Sequence, residues 1–146
     1  MVSRCIGAGC EQVGWLKSAE RNSVNGERVV QALGIYRAFA GVSVWLAPSQ
    51  MARVFGLETG DGSALAYAGR LAAVRELTLG VGPLISHGDA RRTWLRLALL
   101  CDLSDTLAAA TGTRSGGLPA AAAARGGAAT ITSGLLTLAA LRSGSG

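Results

Sequence analysis

The sequence predicts an all-α fold, a four-transmembrane-helix bundle with a short interfacial helix after helix 1. Three observations carry that expectation. The 146 residues are 49% hydrophobic and 16% charged, with a mean hydropathy of +0.35, against roughly 25% charged residues in an ordinary soluble domain. The apolar text falls into four stretches, each of about 20 residues, the length that crosses a bilayer core. Lys17 is the only lysine among the 14 basic residues, so the Lys/Glu-rich outer face that keeps a soluble helical bundle in water is missing.

Residues 1–28 are mixed and polar and read as a cytoplasmic tail, with Asn25-Gly26 marking a break before the apolar text. From Val29 to Ala47, VVQALGIYRAFAGVSVWLA has only Gln31 and Arg37 as strongly polar members, and Pro48 then stops the helix. SQMARVFG follows, with Ser49 as N-cap, Met51, Val54 and Phe55 on one side and Gly56 as C-cap, which suits a turn or two lying in the interface. LETGDGS is a turn-rich loop. The second span runs from about Ala64 to Ser86, with Pro83 expected to kink or fray its last turn. Asp89 in the basic turn SHGDARR is the expected N-cap of the third span, about Arg92 to Thr111. The fourth, from about Leu118 to Leu141, has Pro119 in its first turn and small residues at 120–129 that let helices approach closely. Arg125 is its only charge, so it has no polar face to present to water, and this stretch weighs hardest against a soluble bundle. Residues 143–146 read as a flexible end, making 29–142 the membrane domain.

Orientation follows from positive charge. With the N-terminus cytoplasmic, Arg4, Lys17, Arg21, Arg28, Arg91, Arg92 and Arg142 lie inside and Arg53 and Arg114 outside, which places both termini in the cytoplasm of a multi-pass inner or plasma membrane protein.

Charges inside the apolar stretches need partners, because a lone charge at mid-membrane costs on the order of 3 kcal/mol or more. The candidate network is Arg37 on helix 1, Arg70, Arg75 and Glu76 on helix 2, and Asp102 and Asp105 on helix 3, with Arg125 on helix 4 as a possible addition. Arg37, Arg75, Glu76 and Asp102 fall near the middle of their spans. Arg70 and Asp105 lie about 7.5 and 4.5 Å outward at 1.5 Å per residue. Neighbours Arg75 and Glu76 diverge by about 100° and need partners on other helices, whereas Asp102 and Asp105 share a face. The expected pairs are Arg75 with Asp102 and Glu76 with Arg37. For Arg70 the options are snorkelling to headgroups, reaching Asp105 or bonding a second copy; Arg125 either snorkels or answers Asp105.

Several function classes find no support. No basic cluster with interleaved aromatics suits nucleic acid. Cys5, Cys10 and Cys101 form no CxxC and read as free thiols, and IGAGC lacks the apolar region that would precede a lipoprotein cleavage site. His87 lies in a turn, and Ser104 has no histidine at its depth, so no catalytic triad forms. No cofactor motif is present and no metal site is expected, an oxygen-only site from Asp102 and Asp105 being the one arrangement left open.

GIYRAFAG with its Arg, WLAP followed by ARVFGL, GRLAAVRELTLG and DLSD together resemble small bacterial four-helix membrane proteins of unknown function over residues 28–142. A looser likeness runs to DoxX-like membrane proteins, which share four spans and an EL-x-x-G-type second helix. The resemblance implies the architecture and places Arg37, Arg70, Arg75, Glu76, Asp102 and Asp105 where those proteins carry intramembrane charges. It implies no catalytic activity; the thiol-handling partners of some DoxX-like proteins would need a CxxC that this chain lacks. The expected function is a non-catalytic membrane module acting in the lipid bilayer through a membrane protein partner or self-association. The alternative is a small transporter or proton-coupled channel using the acidic residues.

Overall fold

A computed structural model describes residues 8–57 and 63–143, with side chains over 25–57 and 64–143. The readings on Arg4, Cys5, the loop centre at 58–62 and the end at 144–146 lie outside the described residues, as do the side chains of Cys10, Lys17 and Arg21. The chain is all-helical, with no strand among the described residues: α1 is Ala8–Leu46, α2 Pro48–Val54, α3 Ser63–Ile85, α4 Gly88–Arg114 and α5 Ala120–Ser143.

The helices run alternately up and down in a ring in which α1 packs on α3 and α5, and α4 packs on the same two; α2 lies across α1 and α3. The α1–α3 seam is the most intimate, and glycine is the reason. A Cβ on Gly34 would stand 2.8 Å from the Gly80 carbonyl oxygen, and one on Gly41 the same distance from that of Ala73. Only residues without a Cβ let the two backbones come this close.

α1 departs from the expected break at Asn25-Gly26, since the helix runs on through it from Ala8. Gly26 is there for packing: it is buried, and a Cβ on it would lie 2.9 Å from that of Ser143 at the end of α5. Other ends shift by a few residues. α2 starts with Pro48 in its first turn and Ala47, not Ser49, as N-cap. It closes as expected around Gly56, whose φ of +75° and the bonds Gly56 N–H to Arg53 O and Leu57 N–H to Ala52 O make a left-handed cap. α4 starts at Gly88 with His87 as N-cap, which leaves Asp89 in the first turn, where it still faces the positive end of the helix dipole. Pro83 is fully buried inside α3. Arg91 Nε donates to the carbonyls of Pro83 (3.1 Å) and Ser86 (2.8 Å), satisfying acceptors that the end of α3 leaves open.

The bundle is layered along its axis. Val30, Leu33, Leu95 and Ala140 form a buried apolar cluster in the half that holds the α3–α4 turn. One turn further along α1 comes Arg37, and beyond it the half that carries α2. By length and composition, one helix among the described residues, Asn25–Leu46 of α1, is long and apolar enough to cross a membrane. α3 and α4 carry the internal charges, and α5 is rich in Ala, Gly and Thr. Large apolar side chains nonetheless stand on their outer faces: Leu71 of α3, Leu100, Leu103 and Leu107 of α4, and Ile131 and Leu135 of α5 are all exposed.

Candidate functional site

Arg37 sits on the α1 face turned toward α3 and α4, and is 1% exposed. Its guanidinium donates from NH1 to Glu76 Oε2 at 2.8 Å and from NH2 to Asp102 Oδ2 at 2.5 Å. Arg75 forks onto Asp105, NH1 to Oδ1 at 2.8 Å and NH2 to Oδ2 at 2.5 Å, the bidentate geometry that arginine's planar fork permits. A looser contact of 3.4 Å joins Arg75 NH2 to Glu76 Oε1. The result is one chain of charges, Asp102–Arg37–Glu76–Arg75–Asp105, running through α1, α3 and α4.

The expected Arg37–Glu76 pair forms. The expected Arg75–Asp102 pair does not: Asp102 turns to Arg37, and Arg75 takes Asp105, one helical turn along the same acidic face. Arginine's five donors explain the difference, because one guanidinium reaches two carboxylates on different helices and leaves none for Arg75 at that level. Arg75 and Glu76, adjacent in sequence, satisfy each other poorly, as their angular separation requires. Arg70 is exposed and forms no ion pair with a described residue, and Asp105 is occupied. Arg125 answers no carboxylate among the described residues; its NH1 donates to Val54 O at 2.9 Å and so caps α2.

A cavity of about 250 Å³ lies beside this chain of charges, on the α2 side. Arg75, Glu76, Asp102 and Asp105 form one wall, Tyr36, Ala40 and Val44 of α1 another, with Met51 of α2 and its C-cap Phe55 at one end. α5 closes it with Gly126, Ala129, Thr130 and Ser133. No protein-family model, curated protein or solved structure matches the chain. What the site can do follows from its own charges and shape.

Three carboxylates against two guanidiniums leave the chain one formal negative charge, and its members differ in access to water: Asp102 is 6% exposed at the side chain, Glu76 24% and Arg75 38%. Ser133 and Thr130 are site residues that the sequence reading did not single out. Thr130 shares a hydrogen bond with Thr106 of α4 at 3.1 Å, whereas the buried Ser133 Oγ has no partner. The one available signal was the recurrence of hydroxyls at 130, 133 and 137 on one face of an Ala/Leu-rich helix. Ser104 points away from the site, donating to Leu100 O of its own helix. Cys101 is a free thiol. A second hollow, of about 460 Å³, lies at the opposite end beside Glu27, Asp89, Arg91 and Arg92. There Arg91 is held by Glu27 at 2.5 Å, and Arg92 is engaged as well.

Proposed function

We propose that the chain is a four-span integral membrane protein of the inner or plasma membrane, with both termini cytoplasmic. It acts as a non-catalytic module through a membrane partner or a second copy. Its buried charges set helix register. The observation that carries this reading is where unpaired charge is missing. Between Leu71 and Ile85 on α3, Leu97 and Thr113 on α4, and Gly126 and Leu141 on α5, the charged side chains are Arg75, Glu76, Asp102 and Asp105, and each is ion-paired. At 1.5 Å per residue these bands are about 22 to 26 Å tall, close to a hydrocarbon core of roughly 30 Å when flanking arginines snorkel. The charges that make α3 and α4 poor spans by composition point inward and are paired, which is how intramembrane charge is tolerated. The likeness to small four-helix and DoxX-like membrane proteins supports the same architecture.

Cysteine labelling tests it. In a chain with Cys5, Cys10 and Cys101 replaced by alanine, an impermeant maleimide added to intact cells labels Ser115→Cys. It reaches His87→Cys and Ser145→Cys only after the membrane is opened. Equal labelling at all three positions, or recovery of the chain in the soluble fraction, overturns the reading.

The cavity touching Glu76, Asp102 and Asp105 favours one second reading, a small transporter or proton-coupled channel. It expects a pH-dependent flux in proteoliposomes that Glu76→Gln abolishes while the fold is kept. Wild-type protein without flux excludes it.

A further inference from the structure

We infer that the cavity beside the charge chain, walled by α1, α3, α4 and α5, binds a small organic monocation, a protonated amine with a compact apolar body. The inference deepens the membrane reading and rests on it, because lipid on all sides denies the excess negative charge its water.

Charge comes first. The Asp102–Arg37–Glu76–Arg75–Asp105 chain is one positive charge short of neutral, and no other cation among the described residues pairs with it. Arg125 lies eight residues from Ser133 along α5, about 12 Å, and is spent on the Val54 carbonyl. An uncompensated charge in an apolar setting draws a counter-charge.

Hydrogen bonding comes second, and it is independent of the charge count. Ser133 is 4% exposed, lines the cavity, and leaves its Oγ without a partner. Asp102, also lining the cavity, uses Oδ2 for Arg37 and accepts no hydrogen bond at Oδ1 from a described residue. α5 presents this stretch to Asp102 directly: a Cβ on Gly134 would lie 4.0 Å from Asp102 Oδ2. An ammonium head supplies N–H donors to an open carboxylate oxygen and to a hydroxyl oxygen and brings the missing positive charge.

Shape comes third. The volume of about 250 Å³ falls below the roughly 300 to 1,000 Å³ of pockets for drug-sized ligands. The other walls are Tyr36, Val44, Met51 and Phe55, apolar surface for the body of the ligand. A metal ion fits less well. Among the described residues no three His, Cys, Asp or Glu side chains are grouped to hold one.

The test uses the full chain in lipid nanodiscs, with benzylammonium as probe and benzyl alcohol and benzoate as neutral and anionic analogues of like size, followed by equilibrium dialysis at pH 7. Empty nanodiscs are subtracted. The expected result is saturable binding of benzylammonium alone, weakened at least tenfold by Asp102→Asn and several-fold by Ser133→Ala, and unchanged by Ser104→Ala. Ala129→Leu, which fills the cavity without touching a charge, abolishes binding and keeps the inference testable if Asp102→Asn does not fold. No benzylammonium binding, equal binding of benzyl alcohol, or undiminished binding to Ala129→Leu overturns it. A correct maleimide labelling pattern without binding defeats this inference and leaves the membrane reading standing.

Discussion

Arg37 donates to two carboxylates from different helices while almost wholly out of contact with solvent. Removing one partner of a buried ion pair leaves the other charge uncompensated, a change worth about 3–5 kcal/mol. Arg37→Met therefore destabilises the bundle on that order, measured by thermal unfolding in mild detergent. An unchanged midpoint would show that the charges do not hold α1 to α3 and α4. Arg75 and Asp105 make a bidentate pair that is partly open, so each single reversal costs less. Arg75→Asp with Asp105→Arg recovers much of what either change loses, whereas Arg75→Asp with Asp102→Arg recovers nothing, because Asp102 belongs to Arg37. Recovery in the second combination alone would refute the geometry. That these side chains sit inside was legible from the sequence, since an unpaired charge in apolar text is costly wherever it lies. Which carboxylate each arginine takes was not. Asp102 and Asp105 are one turn apart, and estimates of depth from span limits are no finer than a turn.

α1 and α3 meet through glycine, and a glycine inside that seam contrasts with one outside it. Gly34→Ala sets a methyl 2.8 Å from the Gly80 carbonyl oxygen and closer still to Leu84. Overpacking of this kind costs about 1–3 kcal/mol. Gly127 on α5 has nothing near its Cβ position, so Gly127→Ala is neutral or stabilising by up to about 1 kcal/mol through helix propensity. Unfolding curves for the two variants displaced the same way would remove the contrast. α2 depends on a different contact. Arg125→Ala frees the Val54 carbonyl, and amide exchange speeds up over Met51–Leu57 while the unfolding midpoint of the bundle stays put; slow exchange there would show that α2 is held by its apolar side chains alone. Because Pro48 and Gly56 act locally, the sequence placed the glycine stop of α2 correctly and its N-cap two residues late, at Ser49 instead of Ala47. It misplaced the start of helical text at Asn25-Gly26, because the reason for Gly26 is Ser143 at the other end of the chain.

Across the whole molecule, charge, cavity and apolar surface occupy different levels of one bundle. The apolar cluster around Leu33 and Leu95 holds one half, the charge chain crosses the middle, and the cavity opens toward α2. Such an arrangement lets a site near the middle exist without loosening the end that packs. The sequence alone determined that the chain is helical, where its helices fall to within a few residues apart from the start of α1 at Ala8, and that charges inside apolar text need partners. Those properties depend on neighbours in the chain: local periodicity, a proline, or the cost of an isolated charge. Only the tertiary structure decided that Arg37 serves two acids, that Arg125 caps α2, and that Ser133 is left open beside Asp102. Those outcomes depend on helix rotation and close approach, which residues far apart in sequence set jointly.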